Sequence, residues 1–290
     1  DGTWDVPSFR ADLQRHIDLV EEIARVHGLA NVPSRLSGTF VPASPADAAY
    51  AIDMKLRQRL AALGFFECQT IKLISDAQVT DALPLKPLMD GDLIRVKLPL
   101  SEDHAVMRPS LVPGLVASAA RNIRHHAKSL RLFEFGRTFR HAGGGRAKDQ
   151  ESDTLAILIS GETTNPGWNQ SPQTADLYDL KGLLSSLLPN HTIQLVAKER
   201  DGFVLGCDIK AGEQTIGVFA RLRPSREREI DSSAPVFVAE LDLPKLRKLL
   251  GGTASVEDLP QFPGSSRDAA MEVPATLPNA EIENVLLKLA

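Results

Sequence analysis

The sequence predicts an α+β fold: a large antiparallel sheet with helices packed against it. Three observations carry this reading. Strand-like runs follow one another at hairpin spacing, at 130–139 and 154–161, then at 192–196, 202–209, 214–222 and 236–241. The order amphipathic helix, glycine, strand appears at 44–74. A parallel doubly wound sheet needs a helix between successive strands, and most of these runs have none between them.

Taken in order, residues 1–35 read as a short strand or loop from Trp4 to Phe9, then a helix with apolar residues at 19, 20, 23 and 26, stopped by Gly28. PSRLSGTFVPASPA (33–46) is a linker or domain boundary. Ser44 and Pro45 open the next helix as cap and first-turn proline, with Ile52, Leu56, Leu60 and Leu63 along one stripe and Gly64 at its end. FFECQTIKLI (65–74) reads as one strand, and 75–95 as loop with a short helix.

The stretch 96–139 reads as strand, helix, strand. A polar turn at 101–104 follows the first strand. Pro109 and Ser110 open the helix, with the Ser110 hydroxyl placed to accept from first-turn amides. Leu111, Leu115, Val116, Ala119 and Ile123 face inward, and the helix ends in the basic run RNIRHHAK. In LRLFEFGRTF, Phe133, Phe135 and Phe139 share one face, and Leu132, Glu134 and Thr138 the other.

HAGGGRAKDQES (141–152) reads as a hairpin tip, 165–172 as a loop, and 176–188 as a helix with Leu180, Leu183, Leu184 and Leu187 inward. Pro244 opens a short basic helix. From Val256 a strand, PQFPGSSRDAAMEV, and a helix, PNAEIENVLLKLA, start a new pattern. The chain begins without Met and stops inside that helix, so it reads as a piece of a longer protein.

The totals exclude several classes. With 43% hydrophobic and 24% charged residues among 290, the composition is that of an ordinary globular chain. The net charge of −4 argues against indiscriminate nucleic-acid binding, and no DNA partner is expected. Cys68 and Cys207 lie far apart in no metal or redox spacing, as reduced core cysteines of a cytoplasmic protein would. No apolar run is long enough for a bilayer span. There is no Walker loop, no dinucleotide glycine fingerprint, no zinc spacing and no nucleophile elbow.

One cluster bears chemistry. Asp18, Glu21 and Glu22 fall at i, i+3 and i+4 on one helical face, and Asp12 lies just upstream. Close carboxylates repel unless solvent or a cation screens them. Two readings stand: a solvated acidic face near a helix start, or a hard-cation site with oxygen ligands. The basic run likewise has two readings. Arg121, Arg124 and Lys128 could contact RNA phosphates, or serve as helix C-terminal cations or an interface contact; no aromatic residues interleave to stack bases.

Six separated segments occur together in one order: ALGFFECQT, PLSEDHAVMRPSLVPGL, NIRHH with RLFEFGRTF, DLYDLKGLLSSLL, IGVFARLRPS and VFVAELDL. In this the chain resembles the beta subunit of bacterial phenylalanine–tRNA ligase. The resemblance implies that residues 1–38 end a preceding domain. Residues 39–253 would form a class II aminoacyl-tRNA synthetase-like domain, an antiparallel sheet with flanking helices. Residues 254–290 would begin a ferredoxin-like anticodon-binding domain. It implies a Mg2+ site of the form D-x5-D-x2-E-E, matched here by Asp12, Asp18, Glu21 and Glu22. It implies a partner alpha subunit in a complex of two alpha and two beta chains, tRNA as a further partner, and ATP used by the complex and bound by alpha.

Catalytic class II domains place Arg two residues before Glu on one strand, so that both enter one pocket. Here Arg131 precedes Glu134 by three, and an odd offset puts the two on opposite strand faces. Glu240 and Asp242 stand where the resemblance calls for a glycine-rich strand, and acidic groups would repel a triphosphate. A non-catalytic chain is therefore expected, without catalytic residues of its own. A synthetase-like regulatory module without tRNA charging is the alternative.

Overall fold

Ser44 opens helix α2 (Pro45–Ala62) with a capping box, Asp47 and Ser44 exchanging side-chain and backbone hydrogen bonds. Gly64, at φ +82, takes the left-handed turn that ends it and drops the chain onto the sheet. This is the computed structural model of the protein, and it describes residues 3–34, 38, 44–141, 143, 147–163, 168–169, 171–252 and 263–289. The chain forms two compact units, Asp1–Gly251 and Gly252–Ala290.

The first unit contains α1 (His16–His27), α2, strands β1 (Phe66–Glu67), β2 (Leu73–Ile74) and β3 (Val106–Met107), α3 (Val112–Arg124), β4 (Ser129–Phe139) and β5 (Glu151–Gly161). It continues with α4 (Leu177–Leu187), β6 (Ile193–Ala197), β7 (Phe203–Ala211), β8 (Gln214–Leu222), α5 (Pro224–Glu229), β9 (Val236–Asp242) and α6 (Leu243–Leu250). Seven strands form one sheet in the order β1-β4-β5-β9-β8-β7-β6, and β2 pairs with β3 in a small second sheet. Each pairing in the large sheet is antiparallel except the short parallel one between β1 and β4.

Both faces of the sheet are covered. Helices α2, α4 and α6 bring Leu56, Leu60, Leu180, Leu184 and Leu246 onto Phe133, Ile157, Phe219, Ala239 and Leu241. On the other face α3 brings Leu115, Val116 and Ala119 onto Leu132, Leu158, Val218 and Val238. Double coverage is why β5 reads as an unbroken apolar run and not an alternation. Each fully buried aliphatic side chain contributes about 1.5–3 kcal/mol. Arg247 ties the first face together, pairing with Asp53 of α2 and Asp153 of β5.

Several expected elements differ. The run 65–74 is not one strand. Two residues pair with β4, Cys68 donates to the Phe133 carbonyl, and then Thr70 binds Glu134 and pulls the chain off the sheet edge. Its end, β2, pairs with β3. No strand forms over 96–100. Pro99 removes a ladder donor, and Leu98 and Leu100 are exposed. Helix α5 was not expected, although Pro224 at its first turn is a start signal. Residues 35–37 and 39–43 of the linker, 142 and 144–146 of the hairpin tip, and 165–167 and 170 of the loop lie outside the described residues; in the tip, Ala147–Gln150 form a 3-10 turn, and 151–152 already belong to β5.

In the second unit, 263–273 carries no strand, because no described segment pairs with it. Helix α7 (Asn279–Leu289) follows. Among the described residues no helix is long and apolar enough to cross a membrane.

Candidate functional site

The stretch between β3 and α3 carries Arg108, Pro109 and Ser110 under the sheet. Arg108 Nη1 donates to Glu134 Oε1 at 2.8 Å, and the Thr70 hydroxyl donates to Glu134 Oε2 at 2.7 Å while accepting from Arg108 at 2.9 Å. The Thr70 amide completes the carboxylate's partners at 3.2 Å. Arg108 Nε reaches the Arg137 carbonyl at 3.0 Å. Both charged side chains are at most 3% exposed. Two glycines make the seam possible. A Cβ at Gly136 would stand 2.6 Å from Arg108 Nη2, and one at Gly114 would stand 2.2 Å from the Thr70 hydroxyl.

Beside this pair lies a second buried acid. Glu240 of β9 is fully buried, and its Oε2 accepts from the Ser110 hydroxyl at 2.6 Å and the Leu111 amide at 2.8 Å. The Ser110 oxygen also accepts from the Val112 and Leu83 amides, so it takes one first-turn amide as expected, although the N-cap of α3 is Leu111. Among the described residues Glu240 Oε1 has no hydrogen-bond partner. Burial pushes the Glu240 carboxyl up to about 8, against the lowering pull of Ser110 and the Leu111 amide. The two buried acids and Arg108 form a closed seam. Arg108 Nε and Nη1, the Thr70 and Ser110 hydroxyls and the Leu111 amide all donate to protein acceptors.

Arg131 and Glu134 stand on opposite faces, as strand parity requires. Arg131 donates to the Leu63 and Thr163 carbonyls, while Glu134 holds Arg108 beneath α3. The true partner of Glu134 is 26 residues upstream. A basic residue ahead of Pro109 was the one signal in the sequence, and it names no partner.

The acidic cluster is arranged differently from its helical spacing. Asp18 turns back to cap α1, accepting from the Gln14 amide at 3.0 Å and the Arg15 amide at 2.7 Å; these hydrogen bonds lower its carboxyl. Arg10 Nη2 donates both to Asp12 Oδ2 at 2.8 Å and to Glu22 Oε1 at 2.6 Å. Arg10 lowers the Asp12 carboxyl, and Arg10 with Arg25 lowers that of Glu22 to about 2. Glu21 is exposed. Oxygens of Asp12 and Glu22 therefore converge on one cationic nitrogen, and Asp18 and Glu21 do not join them. Among the described residues no three His, Cys, Asp or Glu side chains gather closely enough to hold a metal ion. Helix α1 leaves Ile17, Val20, Ile23 and Val26 exposed.

In the basic run, Arg121, Arg124 and Lys128 are exposed. Arg124 pairs with Asp231 at 3.0 Å. Among the described residues Arg121 and Lys128 have no ionic partner.

Residues 32–243 match the family model described as the phenylalanyl tRNA synthetase beta chain CLM domain. The chain belongs to that family. Residues 1–29 match the model of the tRNA synthetase B5 domain, which places the acidic cluster there. The phenylalanine–tRNA ligase beta subunit of Geobacter metallireducens is 31% identical over 284 residues, 96% of this chain and 35% of that one. The beta subunit of Moorella thermoacetica is 32% identical over 287 residues, 97% of this chain and 35% of that one. The chain thus spans about a third of the length of the relatives it matches. A solved pyrrolysyl tRNA synthetase of Desulfitobacterium hafniense shares the fold at TM-score 0.52 and 18% identity, over 80% of this chain and 75% of that one.

Proposed function

We propose that this chain is the synthetase-like part of a phenylalanine–tRNA ligase beta subunit, and that it is the non-catalytic half of a class II-type pairing. The carrying observation is the closed seam of Arg108, Glu134, Thr70, Ser110 and Glu240. A nucleotide site needs open donors, and here Arg108 pairs with Glu134, the Leu111 amide binds Glu240 and the Val112 amide binds Ser110. In this reading the alpha subunit binds ATP and phenylalanine, forms the adenylate and charges tRNA, in a cytoplasmic complex of two alpha and two beta chains.

The part would supply scaffold, alpha-subunit interface and tRNA support. Residues 1–38 would end the preceding domain, 39–253 would be the synthetase-like domain, and 254–290 would open the anticodon-binding one. The α2–β1 edge supports the interface. Tyr50, Leu63, Phe66 and Ile71 are exposed there, and β1 leaves a free strand edge. Arg121, Arg124 and Lys128 are the residues for tRNA or subunit contact.

We assign Mg2+ to Asp12, Asp18, Glu21 and Glu22. The donor set is hard oxygen, and Asp12 and Glu22 already converge on a single positive charge, that of Arg10. The ion would supply to Asp12 and Glu22 the charge neutralisation that Arg10 supplies here.

Mixing the full-length beta chain with its alpha subunit tests the proposal. A stable co-eluting complex that charges tRNA with phenylalanine is expected, and a Phe66→Glu variant should weaken co-elution at least tenfold. Failure of the unaltered chains to co-elute would refute the interface. Mg2+ calorimetry on the full-length chain should show binding that Asp12→Asn with Glu22→Gln abolishes; equal heats from both proteins would remove the metal assignment.

A further inference from the structure

A cavity of about 230 Å³ opens where α2 ends, β4 and β5 reach the sheet rim, and α4 passes over them. Its floor is apolar, formed by Phe65, Ile159, Ala175 and Leu183, all buried. Its polar groups are unevenly matched. Arg131 lies in the wall, but both its terminal nitrogens are engaged by the Leu63 and Thr163 carbonyls. Glu162 is half-buried, and its carboxylate has no hydrogen bond or ion pair among the described residues. Asp179, at the exposed mouth, uses Oδ2 to accept from the Asp176 amide. Two carboxylates and one guanidinium thus line the cavity, and the terminal nitrogens of the guanidinium are already hydrogen-bonded to carbonyls.

Gly182 at the mouth adds an independent observation. It sits in the middle of α4, where glycine costs about 1 kcal/mol relative to alanine. No packing contact explains it, because a Cβ there would meet nothing within 4 Å. A larger side chain at 182 would stand in the mouth of the cavity.

We infer that this cavity binds an alkylammonium group, a primary amine on a methylene stem. The apolar floor takes the stem, and Glu162 with Asp179 takes the ammonium. The volume is below the ~300 Å³ of sites for drug-sized ligands and suits a single side-chain-sized group. A free small amine and a lysine side chain of a partner chain share this chemistry. The ligand assignment stands apart from the family reading; only the lysine source rests on it.

The test uses n-pentylamine as the probe and n-pentanol as its neutral counterpart, titrated into this protein at constant ionic strength and followed by NMR shifts of the Gly182 and Thr163 amides. Saturable pentylamine binding is expected, with pentanol at least tenfold weaker. Glu162→Gln should weaken the amine about five- to tenfold, and Gly182→Leu should abolish binding. The Gly182→Leu helix gains propensity, so an unchanged thermal midpoint or a higher one controls for folding. No saturable binding, or binding indifferent to both substitutions, overturns the inference. Repeating the titration in the complex with the alpha subunit separates the sources. A partner lysine leaves the site closed to pentylamine and makes Gly182→Leu impair assembly. A free amine leaves the site open and assembly intact.

Discussion

Replacing Glu240 with glutamine should change how stability depends on pH. An unfolded glutamate titrates near 4.5, and the buried Glu240 is pushed up to about 8. Between those values the native state holds a proton that the unfolded chain has released, so stability falls as pH rises. Below 4.5 both states are protonated, and above 8 both are ionised with the whole cost present. A difference of 3.5 pH units (8 − 4.5) at 1.36 kcal/mol per unit sets that cost at about 5 kcal/mol. Its cause is desolvation at a site where Ser110 and the Leu111 amide reach one oxygen only. Glutamine keeps an oxygen for those two donors and has no charge to bury. Urea unfolding from pH 5 to 9 is the assay, with the denaturant slope checked for constancy. The glutamine variant should lose less stability across this range and overtake the native chain above neutrality. Parallel curves for the two proteins would refute the reasoning.

Arg108→Met should destabilise the chain by about 3–5 kcal/mol, because it leaves Glu134 buried without its cation; adding Glu134→Gln should recover a large part of this, and additive losses in a double-mutant cycle would show that the pair does not couple. Gly136→Ala should cost about 1–3 kcal/mol in urea unfolding, since its Cβ would stand 2.6 Å from Arg108 Nη2 and 2.9 Å from Leu111 Cδ2; a neutral effect would mean that the seam can shift aside.

The hairpins β4–β5 and β7–β8, the cap of α2, and the inward stripe of α4 were legible because each rests on neighbours a few residues apart. So was the separation of Arg131 from Glu134, which needs only the parity of a strand. The strand expected over 96–100 failed on a local signal that was present, Pro99. Single-strand pairing over 65–74 failed for a different reason. Its sheet-leaving turn is made by Thr70 binding Glu134, 64 residues away.

The candidate site divides in the same way. Spacing put Asp18, Glu21 and Glu22 on one helical face, yet a local cap took Asp18 and Arg10 drew Asp12 to Glu22. Glu240 was legible as an acid where a synthetase sheet calls for glycine. Its burial against Ser110, 130 residues away, was not. By itself the sequence determined most helices and the long strands of the large sheet, which side chains face together along each, and the family resemblance. The tertiary structure decided which buried charges meet, because an ion pair between distant segments depends on how the strands are ordered and on the close approach that Gly114 and Gly136 allow.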